Sequence, residues 1–196
     1  MKYLTMIAMS LVIMSCSNNS NKENNESDES HVQHEESTPT TNIASFKDVD
    51  ATVAIQLNQL VQHYIHLKNA MVASNSADAK AGAKGMLDAI TTIDTLKLTV
   101  EQKSVFNAQI GKIMEDAKHI VDNKDIQHQR GHLNPLSKSI YSLIKSFGSE
   151  TTLYYEFCPM ANNNNGGYWI SETEEVKNPY FGDEMLNCGE VKETIN

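Results

Sequence analysis

Between about residues 48 and 147 the apolar residues recur at helical spacing, and no other feature limits the fold as much. Val53, Leu57, Leu60, Tyr64, Leu67 and Met71 are separated by alternating steps of four and three, which places them on one face of a helix. Ala79, Ala83, Met86, Ile90 and Ile93 predict a second helix over 77–94, with small residues that let a neighbour come close. Thr99 and Gln102 have the spacing of a capping box ahead of a third stripe, Phe106, Ile110, Ile113, Ala117 and Ile120. The fourth stripe holds Leu133, Leu136, Ile140, Leu143 and Phe147. Pro135 either sits in the first turn of that helix or kinks a longer one beginning near Asp125. Gly148 is suited to end it. Four amphipathic helices joined by short links predict a mainly α fold, an antiparallel four-helix bundle over 46–148.

The pattern changes at 149. Leu153, Tyr155 and Phe157 alternate with Tyr154, Glu156 and Cys158, the period of a strand. The run Asn162-Asn163-Asn164-Asn165-Gly166-Gly167 is a turn by composition, and Gly167 to Ser171 reads as a return strand carrying Trp169. A second turn with aromatic anchors follows at Asn178-Pro179-Tyr180-Phe181-Gly182. Residues 149–196 are therefore expected to form a C-terminal β-hairpin and a loop extension, a Cys/Met tail packed on the bundle.

The other end of the chain reads as an address. Lys2 precedes an apolar run, Leu4 to Met14, too short for a permanent membrane span. Ile13-Met14-Ser15-Cys16 resembles a bacterial lipobox. That resemblance implies a signal peptide over 1–15, cleavage before Cys16 and lipidation of that cysteine. The chain would then be held on a periplasm-facing membrane of the cell envelope by its lipid. Residues 16–45 would be the lipidated cysteine and an acidic tether, too poor in apolar residues to offset the entropy of ordering. His31 and His34 are read as part of that solvated tether. The net charge of −9 argues against nucleic acid as a partner, because an acidic chain repels phosphate backbones.

Chemistry is concentrated in the tail. Cys158-Pro159-Met160 and Met185-Leu186-Asn187-Cys188 place two sulfur pairs at the two ends of one small substructure. Thiolate and thioether are soft ligands that suit Cu(I) better than magnesium or calcium. An envelope setting allows a competing reading, a Cys158–Cys188 disulfide that staples the tail, and the methionines are equally at home as packing residues. His128 and His132, four apart, share a helix face and can hold a metal, but a third ligand is not near in sequence. They read first as a polar face, and His63, His66 and His119 as boundary residues beside apolar stripes. Glu101 and Glu115 lack the Glu-x-x-His partners of a di-iron bundle. The chain has no phosphate-binding loop, dinucleotide glycine fingerprint, nucleophile elbow or Cys-x-x-Cys-His site, so an enzyme is not expected.

Two stretches together resemble a known family. One is Gln129-Arg130-Gly131-His132-Leu133-Asn134-Pro135-Leu136-Ser137. The other is Cys158-Pro159-Met160-Ala161, with Tyr168-Trp169-Ile170-Ser171, Asn178-Pro179-Tyr180-Phe181-Gly182, Met185 and Cys188-Gly189. They are similar to the bacterial envelope lipoprotein domain of unknown function that is also appended to adaptor subunits of copper and silver efflux pumps. The resemblance covers about 46–196. It implies metal handling in the periplasm, with Cys158, Met160, Met185 and Cys188 as ligand candidates, His132 as a possible extra, Cu(I) as cargo and an efflux adaptor as partner. The alternative expectation is an interaction module without metal, fixed by the Cys158–Cys188 disulfide and docking to an envelope partner.

Overall fold

The first three expected stripes become helices that each begin with a side chain accepting from the free N–H groups of the first turn. The computed structural model describes residues 43–196, so the signal peptide, Cys16 and nearly all of the tether, with His31 and His34, lie outside the described residues. Helix α1 (Ala51–Val72) opens with Asp50 accepting from Thr52 N–H at 2.8 Å. Helix α2 (Ser76–Thr92) opens on Asn75. Helix α3 (Val100–Asp122) has both halves of the expected capping box: Gln102 N–H donates to Thr99 Oγ1 at 3.2 Å, and Thr99 N–H to Gln102 Oε1 at 3.1 Å.

The fourth stripe is divided. Helix α4 (Ile126–Gly131) ends at His132, and α5 (Leu133–Phe147) restarts at once. Pro135 lies in the first turn of α5 and has no N–H to return to the Gly131 carbonyl, so a continuous ladder is broken there. Gly148, at φ +89°, closes α5 in a conformation that disfavours other residues.

Helix α1 packs on α2, α2 on α3, and α3 on α5. The stripes form the core: Leu60, Leu67, Met71, Ile113, Ile120, Leu136 and Ile140 have no exposed surface. The α1–α2 approach depends on Gly82, where an added Cβ would lie 2.7 Å from the Leu67 backbone nitrogen and 2.8 Å from its Cα.

The tail is a three-stranded antiparallel sheet, in which a third strand not expected from sequence is added to the expected hairpin. Strand β1 (Leu153–Cys158) is central, with β2 (Gly167–Ser171) on one side and β3 (Glu190–Ile195) on the other. The β1–β2 pair is the expected hairpin, in register from Tyr154↔Ser171 to Cys158↔Gly167. Its connection contains Asn162, Asn163 and Asn164 in the left-handed region, which asparagine tolerates better than most residues. Strand β3 is an edge strand in which Glu190, Lys192 and Glu193 make up half of the six residues, so it lacks a strong apolar signal. One sheet face carries stacked rings, with Tyr155 4.1 Å from Tyr141 of α5 and 4.8 Å from Tyr168. Tyr64 of α1 joins helix to sheet, accepting from Ile170 N–H at 3.1 Å while meeting Ser137 at 2.7 Å. Among the described residues, no helix is long and apolar enough to cross a membrane. The architecture is mainly helical with a small C-terminal sheet.

Candidate functional site

Two clusters carry chemistry. The first is the sulfur pair. Cys158 ends β1, Cys188 lies just before β3, and their sulfurs stand 2.8 Å apart. Both are free thiols, Cys158 buried and Cys188 half-buried. The Cys158 hydrogen bond, with a smaller contribution from burial, pushes the Cys188 thiol up to about 11.

The loop that delivers Cys188 is organised by Asn178, which is fully buried. Its amide donates to the Cys188 carbonyl at 2.6 Å, and its Oδ1 accepts from Tyr180 N–H at 2.8 Å. Gly189 follows at φ +149°; a Cβ there would sit 2.7 Å from the Trp169 ring and 3.1 Å from the Phe157 carbonyl. Only glycine lets Cys188 come this close to the sheet. Trp169, fully buried, thus lies beneath the residue adjoining the thiol pair. Met185 shares the turn, its carbonyl accepting from Cys188 N–H at 3.0 Å. Met160 stands two residues beyond Cys158 and is 45 % exposed.

Glu156 shares the sheet face of Cys158, two residues away, and faces Trp169 across the strands. Its carboxyl is fully buried without a hydrogen-bond partner. Burial pushes it up to about 8, although the nearby Lys68 charge and the approaching Trp169 indole N–H, which stops short of a closed bond, pull the other way. Lys68, buried in α1, bonds instead to Glu172 at 2.8 Å.

Gln129 and Arg130 turn out to be fasteners. The Gln129 amide donates to the carbonyls of Ser76, Ile120 and Asn123. Arg130 donates to Pro179 O at 2.8 Å, Met71 O at 2.9 Å and Ser74 Oγ at 2.9 Å. One guanidinium therefore ties the end of α1 to the loop that carries Cys188.

The second cluster is made of histidines. His119 near the end of α3, His128 on α4 and His132 at the α4–α5 junction bring one ring nitrogen each to within 4.8 Å of the others. His119 stacks on His132 with ring centres 4.7 Å apart and an interplanar angle of 3°, and His128 lies 5.1 Å from His132. His132 Nδ1 is 3.0 Å from Asp116 Oδ1. Burial raises the Asp116 carboxyl from its usual range, partly offset by that bond. So His132, read from sequence as a possible companion of the sulfurs, is placed with His119, His128 and Asp116. The third histidine, absent from the sequence around His128, comes from α3. Spacing gave no sign of it, because the 123–125 turn that folds α4 back on α3 decides the meeting. The one local signal was Asp116 lying three residues before His119, on the same helix face. His63 and His66 stay at the α1 surface, His66 paired with Asp78 at 2.9 Å.

No curated protein and no solved structure matches the chain. Residues 60–152 match a protein family described as "Protein of unknown function (DUF3347)". That span includes Asp116 and the three histidines and stops before both cysteines. The chain thus contains a DUF3347 domain, a mainly helical domain of unknown function, at residues 60–152.

Proposed function

We propose that this is a membrane-tethered envelope protein that binds copper and buffers it or hands it on, in connection with heavy-metal efflux. Its four long helices are read as a bundle serving as the platform for a sulfur site. The observation that carries the reading is the 2.8 Å approach of Cys158 and Cys188. Two thiols that close, half-open to solvent at Cys188, offer soft donors for Cu(I). Met185 in the same turn and the exposed Met160 supply candidate thioethers. The buried Trp169 and the Asn178 loop hold the site's walls. Binding requires loss of the thiol protons, so metal uptake releases protons. An exposed rim at Met160 gives a partner such as an efflux adaptor a route to the ion.

The test is a Cu(I) titration of the reduced chain against a competing chelator. One tightly bound ion is expected, lost in the Cys158→Ser/Cys188→Ser variant and weakened when Met160 and Met185 are replaced together. Equal binding by the double serine variant would end this reading.

The same sulfur approach supports a second reading, an interaction module stapled by a Cys158–Cys188 disulfide. Its docking surface would not be Trp169 or Tyr180, since both are buried. Thiol titration of unreduced protein separates the two: no reactive thiol at these positions favours the staple.

A further inference from the structure

We propose that His119, His128 and His132 form a second metal site, for a borderline divalent ion such as Zn²⁺, independent of the two cysteines. Three imidazoles plus an open position is a ligand set that suits zinc and its neighbours, where thiolates and thioethers suit Cu(I).

The geometry supplies both an anchor and mobile ligands. His132 is 23 % exposed at its side chain and is held by Asp116. When its Nδ1–H donates to Asp116, Nε2 is left with the lone pair a metal needs. A carboxylate holding the far nitrogen of a ligand histidine is the usual outer support of such sites. His119 and His128 are exposed, so their rings can turn without disturbing the core.

Tetrahedral zinc with bonds of about 2.0–2.1 Å brings its nitrogen ligands to about 3.3 Å from one another. The ring nitrogens here lie within 4.8 Å, so closure takes a shift of about 1.5 Å by two free side chains. The parallel stacking of His119 on His132 has to open, because parallel rings aim their lone pairs in parallel. The bound ion would then link the end of α3 to α4 across the 123–125 turn.

The experiment is a titration of the metal-stripped, reduced full chain with Co²⁺, followed by displacement with Zn²⁺. One Co²⁺ is expected, with visible bands of a low-symmetry nitrogen site and no sulfur-to-cobalt charge-transfer band. The Cys158→Ser/Cys188→Ser variant should bind it equally well. His119→Ala and His128→Ala, both surface changes that leave the helices intact, should each weaken it ten-fold or more, and Asp116→Asn roughly 10–100-fold. Binding by a variant lacking all three histidines at wild-type strength would overturn the site. So would a charge-transfer band that disappears with the cysteines; that result would leave the copper reading standing. Loss of Cu(I) binding with the cobalt site intact would remove only the copper reading.

Discussion

Replacing Glu156 with Gln should make the protein more stable at neutral pH and change how its stability depends on pH. The carboxyl sits on the sheet face beside Cys158 with both oxygens unpaired and no exposure. Its pKa rises from 4.5 to about 8 on folding, chiefly through burial. Between those values the unfolded chain has released this proton and the folded chain has kept it. The folded state then binds more protons, so stability falls as pH rises. The contribution is fully present below pH 4.5 and is lost through about pH 8. At pH 7 the loss relative to acid is about 3 kcal/mol, from 2.5 pH units at about 1.36 kcal/mol each. Glutamine keeps the shape and does not titrate. Urea unfolding of both proteins from pH 4.5 to 8 should give curves that coincide near the acid end and separate by about 3 kcal/mol at pH 7, with the variant more stable. Other carboxylates contribute equally to both curves and cancel in the difference. A constant difference across the range would refute the argument, since it would mean that Glu156 ionises in the fold as it does in water.

Three further outcomes are expected. Gly82→Ala should lower stability by about 1–3 kcal/mol in chemical denaturation, because its Cβ meets α1 backbone; Gly85→Ala should cost less, since it meets only the His63 side chain. Arg130→Ala leaves the Pro179 carbonyl without its donor and the Met71 carbonyl with only Ser74 N–H at 3.1 Å, and should cost about 2 kcal/mol, with limited proteolysis cutting first within 172–189. Glu172 behaves opposite to Glu156: burial alone would raise its pKa, but Lys68 and Asn69 outweigh burial and lower it. Its contribution is present above the unfolded value of 4.5 and is lost as pH falls through the lower folded value, so Glu172→Gln should flatten the acid limb of a thermal-unfolding profile.

The sequence by itself determined the local structure. Alternating steps of three and four, the Thr99–Gln102 box and Gly148 specify helix faces and ends through contacts within a turn or two of the chain, and the alternation from Leu153 specifies β1 in the same way. Strand β3 escaped because an edge strand half covered by solvent keeps charged residues, and its pairing with β1 is a register between segments more than thirty residues apart. The division at His132 was half legible in Pro135, which allowed either a kink or a new start. Only the tertiary structure decided what each chemical group faces. Cys158 and Cys188 were visible as a candidate pair, but their meeting rests on Asn178 holding the loop and on Gly189 passing over Trp169. His119 carried no sign of its place beside His128 and His132, because its distance from His128 depends on how the 123–125 turn sets α4 against α3. Glu156 is one more residue of an alternating strand in the sequence, yet it is fully buried, with Trp169 opposite it on β2 and the Lys68 charge of α1 nearby. Short-range spacing encodes elements; the convergence of side chains from separate elements follows from packing, whose favourable burial holds polar groups where their local sequence gives no reason to place them.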